Sequence, residues 1–189
     1  MENISDKKKA IFESTLNLIT DNGFHGTPMS LVAKNANVAA GTIYHYFESK
    51  DQLISELHAY NKSRIIEIIK HTIDENISHK KIFQNIWTNL YQFYIDNTNV
   101  LIFFEQFINS PYNVNKCPSH FQGELFDFFK KGIEKGEIKD VKPEILVVLT
   151  LGSISTSAKL HKFGNIPLNF TDLHNIIQIL WDGMSVNKT

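Results

Sequence analysis

Between residues 41 and 50 the sequence carries a dense set of small, hydroxyl-bearing and aromatic residues. A short helix from about Ala40 to Phe47 would turn Ile43 and Phe47 inward, because residues four apart share a helix face. Its outer face and amino-terminal end then carry Gly41, Thr42, Tyr44, His45 and Tyr46. Thr42 and His45 can hydrogen-bond base edges, and Tyr44 can hydrogen-bond a phosphate. The stretch therefore has the chemistry of a helix that enters the major groove of DNA.

Lys50 is the cation closest to this helix along the chain. Ser49 and Gln52 fit a capping box, which places Lys50 in the first turn of a helix that runs to about Ile73. A cation in a first turn opposes the helix dipole, so its position there indicates a function. Contact with a DNA phosphate is the function that we predict.

A second short helix precedes the first, and a tight turn joins the two. Thr27 is a candidate N-cap for this helix, and Pro28 suits the first helical position, where a missing N–H costs nothing. The helix should end near Asn35. Asn37 is the residue type that best tolerates a left-handed backbone where glycine is absent. Two short helices joined in this way are typical of a helix-turn-helix.

The stretch over residues 23–53 resembles the DNA-binding domain of TetR-family transcriptional regulators. Its sequence is GFHGTPMSLVAKNANVAAGTIYHYFESKDQL. The matching features are Gly23-Phe24 at the end of the first helix, Thr27 before the second, the pair Val32-Ala33, and the run from Gly41 to Lys50. The similarity covers about residues 10–55, and the rest of the chain matches the family only in length and helical character.

The resemblance implies a set of DNA-contacting residues, which are Thr27, Gly41, Thr42, Tyr44, His45, Tyr46 and Lys50. Three of them have a structural alternative: Thr27 as a helix cap, Tyr44 as a partly buried ring, and Gly41 as a point of helix packing. The sequence departs from the family at Ala39 and Ala40, where a capping Ser or Thr and a polar or basic residue are common. Because those contacts are missing, the operator preference stays open.

Helical periodicity extends over the whole chain and predicts an all-α protein of about nine helices. We expect a three-helix helix-turn-helix domain over residues 1–48, followed by a larger helical ligand-binding and dimerisation domain over residues 49–189. Beyond the short pair, the predicted helices cover about residues 7–21, 50–73, 79–96, 101–108, 120–134, 144–162 and 171–184.

The three helices between residues 79 and 134 are rich in aromatic rings, since nine of the 14 phenylalanines lie from Phe83 to Phe129. Such a stripe is the ordinary signature of a core. These helices also carry amides and an acid among the rings, as a pocket for an apolar or aromatic ligand requires. The candidate ligand-binding residues are Trp87, Tyr91, Tyr94, Phe103, Phe107 and Phe126.

The last two helices are candidates for a dimer interface. The helix over about 144–162 mixes apolar with small residues, which allow close helix approach, and the helix from Thr171 carries a full apolar stripe. The alternative is that this stripe closes the core of a single chain. The resemblance implies that these two helices form a four-helix bundle with the same two helices of a second chain. Two DNA half-sites also require two helix-turn-helix domains. The candidate dimer residues are Leu149, Gly152, Ser153, Ile177, Leu180 and Trp181.

The composition excludes some classes of protein, but by itself it does not predict DNA binding. The formal net charge is −1. Residues 1–50 are neutral by count, with five lysines (positions 7, 8, 9, 34 and 50) against five acids (positions 2, 6, 13, 21 and 48). The single Cys117 excludes an internal disulfide and suits a reducing compartment. No signal peptide opens the chain, and the longest apolar run, Ile145 to Leu151, is too short to span a bilayer. We expect a cytoplasmic protein.

These observations predict a homodimeric transcriptional regulator, a repressor that a small apolar or aromatic effector releases from a double-stranded DNA operator. One alternative is a small all-helical enzyme. The eight histidines form no metal-protease motif, and nucleophile elbows and glycine-rich phosphate loops are absent, so no catalytic, metal or cofactor site is predicted. The other alternative is a helical interaction module without DNA binding, against which the run from Gly41 to Lys50 argues.

Overall fold

The structure, a computed structural model, describes residues 5–113, 123–164 and 166–186. Within these ranges the chain forms nine α-helices and no strand, which confirms the all-α prediction. The helices are α1 (Asp6–Asn22), α2 (Met29–Asn35), α3 (Ala40–Tyr46), α4 (Lys50–Thr72), α5 (His79–Asp96), α6 (Thr98–Ile108), α7 (Glu124–Glu134), α8 (Pro143–Phe163) and α9 (Phe170–Met184).

The predicted helix boundaries agree with the observed ones, mostly to within one or two residues. Helix α5 covers the predicted residues 79–96, because Ser78 caps its start by accepting a hydrogen bond from the Lys81 amide at 3.3 Å. Helix α6 begins at Thr98, three residues before the predicted start. The predicted start of α7 at His120 lies outside the described residues, as does Cys117.

By compactness the described chain divides into two units. The first unit contains residues 5–62 and 98–113, so it holds α1, α2, α3, the first part of α4, and α6. The second contains residues 63–97 and all described residues from Gly123 on. Helix α6 thus packs with the amino-terminal helices although it lies far along the chain. The functional boundary predicted between residues 48 and 49 stays a prediction.

Helix α1 packs against α2 and α6 within the first unit. Gly23 ends the helix with φ 66°, as predicted from its position after the last helical residue. Phe12 is buried and lies between two rings, with centroid distances of 5.6 Å to Phe47 and 5.2 Å to Tyr60. Burying a ring of this kind contributes roughly 1.5–3 kcal/mol. Phe47, the residue that directly follows α3, is therefore packed in the interior of the first unit.

Polar and aromatic contacts fasten α6 to the rest of the first unit. The Asn99 amide donates to the Asn17 side-chain oxygen at 2.7 Å, and the Gln106 amide donates to the Ile19 carbonyl at 3.3 Å. His58 of α4 stacks on Phe107 with a centroid distance of 4.2 Å. These contacts hold α6 along both α1 and α4.

Aromatic side chains of α5 fill the interior of the second unit. Phe83 and Trp87 are fully buried, and Phe83 lies 5.6 Å from Trp181 of α9, centroid to centroid. Helix α9 begins with a capping box between Asn169 and Asp172.

None of the helices in the described ranges is long and apolar enough to cross a membrane.

Candidate nucleic-acid interface

Helices α2 and α3 form the predicted helix-turn-helix. Asn37 in the turn has φ 53°, the left-handed conformation expected for this residue. The Val38 amide donates to the Ala33 carbonyl at 3.0 Å, which closes the turn. The predicted Thr27 cap is wrong. Helix α2 begins at Met29 with Pro28 in the cap position, because the Leu31 and Val32 amides both donate to the Pro28 carbonyl.

Helix α3 has a buried side and a solvent-facing side, as the spacing of its apolar residues predicts. Ile43 and Phe47 are both 0 % exposed, so they fix the helix against the core of the first unit. The outer side carries the five predicted residues of this helix: Gly41, Tyr44 and His45 are exposed, and Thr42 and Tyr46 are half-buried. The structure therefore brings these five residues together on one solvent-facing surface.

Tyr44 and Tyr46 of α3 have different surroundings. Tyr44 is 56 % exposed, so the alternative of a partly buried ring finds no support in its placement. The hydroxyl of Tyr46 accepts a hydrogen bond from the Ser5 hydroxyl at 3.3 Å, and its ring meets His45 edge-on. The Ser5 contact was not predicted, since residues 41 positions apart in sequence carry no common pattern.

The other two predicted DNA-contacting residues lie outside α3: Thr27 precedes α2, and Lys50 is the first residue of α4. Thr27 is 1 % exposed, and its hydroxyl donates to the Gly23 carbonyl at 2.8 Å. The Lys50 ammonium donates to the Phe24 carbonyl. Burial lowers the pKa of Lys50, and the neighbouring Asp51 carboxylate partly opposes this effect. Both side chains are therefore hydrogen-bonded within the first unit.

Few cations of the first unit face solvent. Lys8 pairs with Glu56 at 2.7 Å and lies over the rings of Phe12 and Phe47, so its charge is engaged within the first unit. Lys7, Lys9 and Lys34 are exposed. The first unit therefore offers only a small number of positive charges for the predicted phosphate contacts.

The six predicted ligand-binding residues divide between the two units. Phe103 and Phe107 belong to the first unit, where they are buried. Trp87, Tyr91, Tyr94 and Phe126 belong to the second unit, and all but the half-buried Phe126 are buried there.

Two buried aromatic residues of α5, Trp87 and Tyr91, are hydrogen-bonded to side chains of α8. Trp87 and Tyr91 stack with a centroid distance of 5.4 Å, and the Tyr91 hydroxyl lies 2.9 Å from Nδ1 of His161. Burial raises the pKa of Tyr94 to about 12.

A cleft of about 640 Å³ lies elsewhere in the second unit. Its walls are the end of α4, the start of α5, and α7, and its lining is rich in lysines and acids. At its base His79 stacks on Phe128 with a centroid distance of 4.3 Å, and its Nε2 lies 2.9 Å from the Phe128 carbonyl. None of the six predicted ligand-binding residues lines this cleft.

Helix α8 presents an apolar row to solvent. The exposed members recur at helical spacing and are Ile145, Val148, Leu149, Gly152, Leu160 and Phe163. A side chain added at Gly152 would meet nothing within 4 Å. Two predicted dimer residues, Leu149 and Gly152, lie in this row.

The other predicted dimer residues are less accessible. Ser153 is half-buried and accepts a hydrogen bond from Trp87, and Leu180 is also half-buried. Ile177 and Trp181 are only 6 % and 7 % exposed, because they face the core of their own chain. On α9 the exposed large apolar residues are Phe170 and Ile179 instead. In the described ranges no three His, Cys, Asp or Glu side chains group as metal ligands would.

Two family models together match most of the chain. Residues 11–57 match the model described as bacterial regulatory proteins, tetR family. Residues 79–185 match the model described as tetracyclin repressor-like, C-terminal domain. The chain belongs to the TetR family of transcriptional regulators. Its class is therefore that of DNA-binding helix-turn-helix regulators, as the sequence predicts, and the enzyme alternative is wrong.

Relatives and solved structures resemble the chain over nearly its full length. An uncharacterized HTH-type transcriptional regulator of Haemophilus influenzae is 28% identical over 178 residues, which cover 94% of this chain and 95% of the relative. The crystal structure of a TetR-family regulator from Haemophilus influenzae superposes with a TM-score of 0.86 at 26% identity, covering 96% and 97% of the two chains.

A Bacillus subtilis regulator shares the fold at lower identity. The structure of FadR in complex with stearoyl-CoA superposes with a TM-score of 0.78 at 21% identity, covering 93% of this chain and 98% of the other.

Proposed function

We propose that this TetR-family regulator is a homodimeric repressor that reads its operator with α3 and leaves it when a small apolar effector binds. The outer face of α3 carries this proposal. It combines the exposed Gly41, Tyr44 and His45 with a rigid inner side, since Ile43 and Phe47 are fully buried. A recognition helix needs this combination, because base contacts require side chains held at fixed positions.

The side chains of α3 suit different parts of DNA. His45 presents ring nitrogens that can donate to or accept from base edges, and Thr42 offers a hydroxyl for the same purpose. The Tyr44 hydroxyl suits a phosphate, which positions the head without reading sequence. Gly41 leaves room for close approach of the backbone. A direct phosphate contact by Thr27 is not part of this proposal, because its hydroxyl proton is donated to the Gly23 carbonyl. Lys50 remains a proposed phosphate contact, because the Phe24 carbonyl takes only one of its three N–H donors.

The exposed row of α8 supports a dimer with a second copy of the chain. Ile145, Val148 and Leu149 are each about half exposed, and soluble monomers rarely leave a continuous apolar row uncovered. Gly152 within the row allows close helix approach. A two-fold pairing buries the same row on both chains. Such a dimer presents two copies of α3 to half-sites that lie about 34–36 Å apart.

The buried aromatic group of the second unit supports an apolar effector. Trp87, Tyr91 and Tyr94 combine rings with hydroxyl and indole groups, which is the composition of a small-molecule site. In this structure Trp87 donates to Ser153 and the Tyr91 hydroxyl lies 2.9 Å from His161, so an effector enters only when these side chains move apart. The structure of FadR with stearoyl-CoA shows that a protein of this fold can hold an acyl-CoA. An effector releases DNA only if it prefers a conformation that DNA does not, and the coupling then acts equally in both directions.

Fluorescence anisotropy with matched variants tests the role of α3. The DNA is a duplex enriched from a random library with the wild-type protein. His45→Ala and Tyr44→Ala should each weaken binding at least tenfold, as expected when one good base or phosphate contact is lost. His71→Ala is the matched control, since His71 is a highly exposed histidine near the end of α4. Equal binding by all variants would refute the proposed role of α3. Failure to enrich any duplex would favour an interaction module without DNA binding.

A further inference from the structure

One fully buried hydroxyl of the second unit has no hydrogen-bond partner. Thr150 of α8 is 0 % exposed, and its Oγ1 meets no donor or acceptor among the described residues. Three helical threonines elsewhere in the chain each donate to the carbonyl four residues earlier, at 2.7 to 2.9 Å: Thr15, Thr20 and Thr72. Thr150 therefore lacks the local bond that satisfies the other three hydroxyls.

Packing alone does not explain a threonine at position 150. A buried hydroxyl without a partner destabilises the folded protein, because it has given up its hydrogen bonds to water. Valine has nearly the same shape and avoids this loss. An unpaired polar group in a protein interior therefore calls for a functional explanation, and a bound partner is one.

Thr150 belongs to a row of polar side chains on α8. The row consists of Thr150, Ser153, Ser157 and His161. These residues recur at spacings of three or four, so they share one side of the helix. Ser153 accepts a hydrogen bond from Trp87 and donates to the Thr150 carbonyl at 2.8 Å, and His161 lies 2.9 Å from the Tyr91 hydroxyl. Thr150 therefore adjoins the aromatic group that we propose for the effector.

The interior around Thr150 contains no buried acid, lysine or arginine. Within the described ranges no side chain of these types is buried, and those of α5 and α8 are exposed or half-buried. A charged ligand group beside Thr150 would have no buried counter-ion, which is costly in an apolar interior. An uncharged hydroxyl or carbonyl group fits better, because the Thr150 hydroxyl can both donate and accept.

We propose that the effector is an uncharged molecule whose apolar body lies against the aromatic rings of α5 and whose hydroxyl or carbonyl group binds Oγ1 of Thr150. Thr150 thereby determines which apolar molecules bind. The inference rests on the proposed effector site of the second unit. The complex supplies the partner that this hydroxyl lacks in the free protein, so the cost of burying it is recovered only on binding.

Three ligands with the same flat ring system test the proposed polar group: β-naphthol, β-methylnaphthalene and β-naphthoate. Isothermal titration calorimetry measures their binding to the wild type and to Thr150→Val, with no DNA present. The wild type should bind the naphthol about tenfold more tightly than the methyl compound, as for one buried hydrogen bond, and the naphthoate most weakly. Thr150→Val should bind the naphthol and the methyl compound about equally well. Thr150→Ser keeps the hydroxyl and should keep the preference.

The outcomes of this titration are decisive. A wild type that does not bind the naphthol, or that binds the naphthoate more tightly, would overturn the proposal. The same preference for the naphthol in the wild type and in Thr150→Val would also overturn it. If the naphthol binds through Thr150 but does not release the protein from its selected duplex, the result counts against the proposed release mechanism alone.

The stability of the free protein gives a second readout. Because Thr150→Val removes an unpaired buried hydroxyl, it should raise the folding equilibrium constant roughly fivefold or more in urea denaturation. Thr15→Val is the matched control, since Thr15 is 1 % exposed and its hydroxyl donates to the Ile11 carbonyl at 2.7 Å. This control should gain no stability. A Thr150→Val protein no more stable than the wild type would show that the hydroxyl is already satisfied, and would overturn the proposal.

Discussion

The indole nitrogen of Trp87 donates to the Ser153 hydroxyl at 3.0 Å, and this bond links α5 to α8 in the interior of the second unit. Ser153 in turn donates to the Thr150 carbonyl at 2.8 Å. Trp87 is fully buried, so its N–H has no access to water. Ser153 was predicted as a dimer residue, and its hydroxyl is here engaged within the chain.

Removing the Ser153 hydroxyl should destabilise the protein. In Ser153→Ala the Trp87 N–H loses its partner in a buried place, which costs about 1–3 kcal/mol of the free energy of unfolding. Urea denaturation monitored by tryptophan fluorescence measures this loss. In the background of Trp87→Phe, which has no N–H, the same substitution should cost much less. Equal costs in both backgrounds would show that the bond contributes nothing.

Strongly alkaline pH should destabilise the protein through Tyr94. Burial raises the pKa of Tyr94 to about 12, against about 10 in the unfolded chain. The neutral phenol therefore stabilises the fold fully below pH 10, and this contribution is lost as the pH rises from about 10 to 12. The difference corresponds to about 2–3 kcal/mol. Urea denaturation from pH 9 to 12 should show a steeper decline for the wild type than for Tyr94→Phe. Parallel declines would contradict the assignment to Tyr94.

A charge in the exposed row of α8 should prevent dimer formation. Leu149→Glu places a carboxylate where we propose that two copies meet, and a buried unpaired charge costs several kcal/mol. Light scattering with size-exclusion chromatography should give a dimer for the wild type and a monomer for the variant. Ile108→Glu is the control, because Ile108 is an equally apolar residue, 64 % exposed on α6 of the first unit. A wild-type monomer would contradict the dimer proposal directly.

The turn of the helix-turn-helix should depend on Asn37. Its φ of 53° disfavours residues with a bulky β-carbon, so Asn37→Val should cost about 1–2 kcal/mol of the free energy of unfolding. Asn35→Val, at the last position of α2, is the matched control and should cost less, since its backbone is helical. Thermal denaturation of the two variants provides the comparison. A smaller loss in Asn37→Val than in Asn35→Val would contradict this account of the turn.

Local patterns were sufficient to predict the helices and the inner side of α3. The start of α5 follows from a capping serine directly before a periodic run, and both signals lie within a few residues of each other. Ile43 and Phe47 share a face because they are four apart. Features of this kind depend only on neighbouring residues, so the sequence displays them directly.

Roles that depend on distant residues could not be predicted. The Thr27 hydroxyl can cap a helix or donate to the carbonyl four residues earlier, and the backbone over 23–28 decides between them. The partner of Lys50 is a carbonyl 26 positions away, so no local pattern indicates it. The same holds for α6, since nothing near Asn99 in the sequence points to Asn17. On α9 the stripe alone does not show which part of it faces the chain's own core.

Sequence selection from a random duplex library tests most directly that two copies of α3 read DNA together. The account predicts an enriched motif of two inverted half-sites whose centres lie about one helical turn, or a multiple of it, apart. His45→Ala should relax the preference at one base pair in each half-site. A single unpaired half-site, or a motif that His45→Ala and Tyr44→Ala leave unchanged, would contradict the account.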